Sequence, residues 1–112
     1  MPEALVPIFR VSDAARTSEW YARWGFAVTG VHRFAPDLPA YMFIERNGVE
    51  LHLSEHTGDA RPGTLVYFWV DDVEAVAAEF RVEVDVQPWA REITLMDPDG
   101  NRIRVATRQS GD

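Results

Sequence analysis

Gln87-Pro88-Trp89-Ala90-Arg91-Glu92, then Ile93-Thr94-Leu95-Met96 and the turn Asp97-Pro98-Asp99-Gly100-Asn101, decide how this chain is read. Pro98 presets φ at the first turn position, Asp97 and Asp99 can accept nearby backbone amides, and Gly100 tolerates φ > 0. β-Formers lie on both sides, 93–96 before the turn and Ile103-Arg104-Val105-Ala106-Thr107 after it. The segment therefore predicts a hairpin. Trp89 stands just ahead of its first strand.

Working back to the N-terminus, the hydrophobic period switches regularly. The run 5–11 is β-type, and 13–24 is helical, with Ser12 or Asp13 as the cap. Gly25 follows, where a helix end wants αL geometry. A strand is predicted over 26–33, then a loop with Pro36 and Pro39, then a strand over 41–45. Asn47-Gly48 is the strongest short hairpin signal, and 49–54 is the return strand. A polar loop, 55–63, separates two halves.

The second half repeats these events. A strand over 64–70 leads to a helix capped by Asp71, with Glu74 placed for a capping box and a stripe of Val73, Val76, Ala77 and Phe80. The stretch 82–86 alternates as a half-buried strand does. Val11 and Val70, Asp13 and Asp72, and Tyr21 and Phe80 recur at one offset of 59 (70 − 11, 72 − 13, 80 − 21). Each half reads β-α-β-β-β, an internal duplication in the α+β class.

Composition bounds the rest. With 112 residues, 46% hydrophobic and 26% charged, the chain suits one globular domain. It has no cysteine, which excludes disulfides, thiolate metal sites and cysteine nucleophiles. The net charge of −7 repels phosphate backbones and anionic lipid, so neither nucleic acid nor membrane is an expected partner. It would attract a cation, although acidity also serves solubility alone. Met1-Pro2-Glu3-Ala4-Leu5 lacks a basic region followed by an apolar run, so no signal peptide is expected and the cytoplasm is the expected location.

Val11-Ser12-Asp13, Trp20-Tyr21 and Trp24-Gly25-Phe26, with Val70-Asp71-Asp72-Val73, resemble the two strand-to-helix junctions of the vicinal-oxygen-chelate, or glyoxalase-like, superfamily. Residues 87–92 and Gly63-Thr64-Leu65-Val66-Tyr67-Phe68-Trp69-Val70 resemble its antibiotic-binding branch, the bleomycin-resistance proteins. The resemblance spans almost the whole chain. It implies one domain over 1–112, made of two βαβββ half-barrel units at about 1–56 and 63–112, paired across a homodimer whose subunits build the cleft. It also implies a protein that sequesters a bleomycin-type cationic glycopeptide without altering it, and so gives antibiotic resistance.

Enzymes of the superfamily hold a metal on His, Glu or Gln of particular strands. By resemblance those positions are Val6, Leu65 and Arg104, with Glu50 or His52 as the fourth. Val and Leu have no donor atom, and a guanidinium does not ligate a divalent ion. Neither a catalytic metal, a cofactor nor an enzymatic activity is expected. His52, Glu55 and His56 also fit a ligand set by type, but Thr57-Gly58 ends the strand, which favours a cleft-facing His52 and solvated loop residues. No Ser-His-Asp pattern, P-loop or dinucleotide motif is present.

The aromatic residues remain. Tyr67 and Trp69 share the parity of Leu65 and should face a cleft, while Phe34 and Tyr41 flank a loop that could form its rim. The competing role is core filling. In the resembling drug-binding proteins a heteroaromatic tail stacks on aromatic side chains, which maps to Tyr67, Trp69 and Trp89. The expected ligand-binding set is Phe34, Tyr41, Glu50, His52, Tyr67, Trp69, Trp89 and Arg104. Two alternatives remain open: a lyase, isomerase or dioxygenase of the superfamily, and a binding protein for another planar metabolite.

Overall fold

Asp13, in extended backbone, and Asp72, in non-helical backbone (φ −138°, ψ 89°), each stand ahead of an apolar stripe and accept an amide three residues on, from Arg16 at 3.2 Å and Ala75 at 3.3 Å. Each therefore starts a helix. The computed structural model describes residues 3–109, so the outermost residues of the expected 1–112 span, 1–2 and 110–112, lie outside the described residues. It divides into two units, one of 3–64 with 97–101 and one of 65–96 with 102–109.

In unit 1, β1 (Ile8–Arg10), α1 (Ala14–Ala22), β2 (Ala27–His32), β3 (Tyr41–Arg46) and β4 (Val49–Ser54) form a sheet of order β1-β4-β3-β2. β1 pairs parallel with β4, and the other pairs are antiparallel. Phe9, Met42, Ile44, Leu51 and Leu53 alternate onto one buried face. Burying each contributes about 1.5–3 kcal/mol. Tyr21 and Phe26 complete this core edge-to-face, at 5.6 Å. Asn47 (φ 50°) and Gly48 (φ 84°) make the hairpin that the Asn-Gly pair predicts.

In unit 2, β5 (Leu65–Trp69), α2 (Val73–Phe80), β6 (Asp85–Val86), β7 (Ala90–Met96) and β8 (Arg102–Arg108) repeat that order as β5-β8-β7-β6. Phe68, Ile93, Leu95, Ile103 and Val105 form its buried face, with Val73, Val76 and Ala77 of α2 also buried. Each unit is thus βαβββ with a four-stranded mixed sheet, the fold expected from the duplication.

Several local expectations are corrected. The first strand begins at Ile8, not at 5, because Pro7 has no N–H to pair and offers only its carbonyl to the His52 amide. Leu5 is exposed. The second helix is capped by Asp72, not Asp71. The Val73 amide is taken by Thr107 Oγ1 at 2.9 Å, and Glu74 pairs with Arg91 at 2.6 Å instead of closing a capping box. Of the strand expected over 82–86 only Asp85–Val86 pairs. Arg81 ends the helix in left-handed backbone (φ 55°), and Val82 and Val86 face no core.

The turn after β7 belongs to unit 1, and its side chains show why. Asp97, almost fully buried, accepts from the amides of Asp99 (2.8 Å) and Asn101 (3.0 Å), from Tyr21 Oη (2.8 Å) and from Asn101 Nδ2 (3.1 Å). The place of Asp99 in the turn predicts a bond to a nearby amide, and the structure corrects this. Asp99 instead accepts from the Ser12 amide and hydroxyl, both at 2.9 Å, and from Thr17 Oγ1 at 2.7 Å. Asn101 Nδ2 also donates to Arg10 O at 3.0 Å. Burial, reinforced by the Asp97 carboxylate, pushes the Tyr21 phenol far above its usual range, so it stays a donor. Gly100 supplies the φ of 84° that closes the turn.

Removing the Asp97 carboxylate orphans several buried donors. Asp97→Ala is expected to lose about 2–4 kcal/mol of unfolding free energy, and Tyr21→Phe about 1 kcal/mol, in urea titrations. A loss under about 1 kcal/mol for Asp97→Ala would refute this role.

Candidate functional site

The sheet face opposite each core is only partly covered. In unit 1 it carries Glu50 and His52 on β4, and Tyr41 and Phe43 on β3, by the parity that buries their neighbours. Glu50 bonds His52 Nε2, and His52 Nδ1 bonds Tyr41 Oη at 2.8 Å, giving a carboxylate–imidazole–phenol chain. The Phe43 ring meets His52 edge-on at 4.7 Å, and Gly30 on β2 leaves room for that ring, since a Cβ there would sit 3.1 Å from it. Burial raises the Tyr41 phenol above its ordinary range, as do Asp59 and Glu50. A pocket of about 310 Å³ is lined by His32, Phe34, Tyr41, Phe43, His56 and Asp59. Phe34 is held edge-on to His32 at 4.7 Å and is largely exposed.

In unit 2 the open face is aromatic. Tyr67 and Trp69 sit on it with ring centroids 4.9 Å apart, and Trp89 Nε1 reaches Tyr67 Oη at 3.3 Å. Tyr67 Oη donates to Glu92 at 2.6 Å. Burial and then the Glu92 carboxylate raise the Tyr67 phenol, while the Trp89 N–H and the Arg104 charge oppose that. Arg104 lies beside Tyr67 in the parallel β5–β8 ladder, and the Arg108 guanidinium stands 4.1 Å over the Trp69 ring. Trp69, Tyr67 and Trp89 are 39%, 40% and 55% exposed, so these rings do not fill the core.

The residues expected from sequence thus gather as Phe34, Tyr41, Glu50 and His52 in unit 1, and as Tyr67, Trp69, Trp89 and Arg104 in unit 2. Sequence reasoning missed Glu92, Phe43 and Arg108. Phe43 and Arg108 share the strand parity of Tyr41 and Arg104, a signal present in the sequence. The loop after β4 is not solvated throughout, contrary to expectation: the Glu55 carboxylate accepts the Ala14 and Ala40 amides, each at 2.8 Å.

The donor set does not fit the divalent ion of the superfamily's enzymes. Val6 and Leu65 offer no donor, Arg104 is a cation, and Glu50 and His52 bond one another. Among the described residues no three His, Asp or Glu side chains gather where they could hold a metal ion.

A family model described as a glyoxalase superfamily protein matches residues 2–112. Among solved structures, the chain is similar to a bleomycin-binding protein complexed with bleomycin, at 19% identity and a TM-score of 0.75, over 96% of this chain and 100% of that one. It is similar to TnmS3, an antibiotic binding protein from Streptomyces sp. CB03234, at 22% identity and a TM-score of 0.79, over 97% and 98%. A glyoxalase/bleomycin resistance protein from the same strain shares 25% identity at a TM-score of 0.73, over 90% and 96%. No protein of curated function matches in sequence. The first two likenesses, both under a quarter identical, are likenesses of fold. With two βαβββ units and a family match along nearly its whole length, this chain belongs to the glyoxalase superfamily.

Proposed function

We propose that this protein binds an antibiotic non-covalently and withholds it from its target, with a bleomycin-type glycopeptide as the first candidate ligand. The observation that carries the proposal is the exposed trio Tyr67, Trp69 and Trp89. Exposed aromatic surface in a concerted patch marks a binding surface more often than a solvated one. Here the phenol and the Trp89 indole are fixed by the hydrogen-bonded chain through Glu92, so little ordering is needed when a planar ring stacks on them. Two of the similar structures are named for the same activity, one bleomycin-binding and one antibiotic-binding. The net charge of −7 would draw in a cationic drug at long range.

The proposed assembly is a homodimer whose clefts use both copies, and the proposed place of action is the cytoplasm. Large apolar side chains left exposed, among them Leu65 and Met96 in unit 2, support a partner surface. No helix among the described residues is long and apolar enough to cross a membrane.

Calorimetric titration with metal-free and copper-loaded bleomycin tests the reading, with saturable binding of at least one form expected and no heat with either contradicting it. Trp89→Ala should weaken that binding roughly tenfold or more, from a lost stacking contact plus its apolar area. Unchanged affinity in a folded variant would remove Trp89 from the site. Light scattering at micromolar concentration should give twice the 12.7 kDa chain mass. A monomer throughout would contradict the shared cleft.

A further inference from the structure

The open face of unit 2 has a charge opposite to that of the chain. β8 alternates so that Arg102, Arg104, Ala106 and Arg108 share that face, opposite Leu65, Tyr67 and Trp69 of β5 in the ladder. Ala106, small and buried, is the strand partner of Trp69 and leaves the larger side chains to either side of it. Among the described residues Arg102, Arg104 and Arg108 make no ion pair. Two arginines elsewhere do reach a carboxylate: Arg91 pairs with Glu74 and Arg33 with Glu55. The acidic group among these rings, Glu92, is held by the Tyr67 hydroxyl. In a chain with eighteen acidic side chains and eleven basic ones, three such guanidiniums on one aromatic face are not explained by solubility.

We infer that this face selects a planar aromatic ligand bearing a carboxylate or similar delocalised oxyanion, the ring stacking on Trp89 and Tyr67 and the anion meeting Arg104. This rests on the reading of these aromatics as the stacking surface and goes beyond it, since at contact it favours an aromatic acid over the cationic glycopeptide. A guanidinium offers paired parallel N–H donors that match a carboxylate, and its plane stacks on rings as well. The Arg108 guanidinium already lies over the Trp69 ring, at 4.1 Å. Side by side in the ladder, Tyr67 and Arg104 place a ring and a fork donor at neighbouring positions, the spacing that an aromatic acid presents. The net negative charge governs the approach of a ligand from afar, whereas selection at contact follows these nearest charges, since screening removes the distant ones within about 10 Å.

Quenching of tryptophan fluorescence by 2-naphthoate, 2-naphthamide and 2-naphthylmethylammonium tests this on the full chain, with copper-loaded bleomycin titrated in parallel. The naphthoate should bind roughly tenfold tighter than the amide, and the ammonium most weakly. Arg104→Gln should remove most of that gap. Arg61→Gln, which deletes the same charge from a unit 1 loop, should keep it. Equal affinities for the three probes would overturn the anion inference while leaving the stacking surface standing. No binding of any probe alongside binding of bleomycin would overturn it too, and would leave the antibiotic reading intact. Naphthoate preference without bleomycin binding would support the inference and remove the bleomycin assignment. A gap that survives Arg104→Gln would overturn the role given to Arg104.

Discussion

The carboxylate of Asp97 is the constraint on which unit 1 is organised. It is buried, it accepts four hydrogen bonds, and one of them comes from the phenol at the centre of the aromatic core. A buried anion is tolerable only when its acceptor sites are filled, so the turn geometry and the position of α1 have to be met together. Asp99 extends the same demand to the Ser12 amide and Thr17 at the start of α1. Five consecutive residues therefore cluster with a part of the chain 76 to 91 positions away, although the strands on either side of them belong to unit 2.

Much of this is legible in the sequence, and the physical reason is that local signals agree. The Asp-Pro-Asp-Gly and Asn-Gly turns, the Asp caps and the alternating strands each specify backbone conformation within a few residues. The readings that fail are those in which a distant partner intervenes. Asp99 offers a turn-type acceptor and finds Ser12 and Thr17 instead. Glu74 is placed for a capping box and meets Arg91. The alternation over 82–86 has the period of a strand, but among the described residues no strand pairs with 82–84, so periodicity alone builds nothing there.

The candidate site is legible to a different degree. Parity along a strand places Tyr67 and Trp69 on the open face, and the resemblance to drug-binding proteins singles out Trp89. What no pattern in the sequence reveals is how these side chains bond to one another: the chain from Trp89 through Tyr67 to Glu92 depends on rotamers and on the register of β7 against β8. Charge is the least legible property. A net value describes the field at a distance, and it hides three arginines gathered on one face of one strand. The same face thus holds both the stacking surface proposed for an antibiotic and the cations that would choose among such ligands.

Four tryptophans make the central proposal directly observable. In an amide-correlation NMR spectrum, each indole N–H reports its own surroundings during a titration with metal-free bleomycin. Saturable shifts confined to the Trp69 and Trp89 indoles are expected, with the Trp20 and Trp24 signals unmoved and the drug recovered at unchanged mass. Shifts at neither Trp69 nor Trp89, or a chemically altered drug, would refute sequestration on this face.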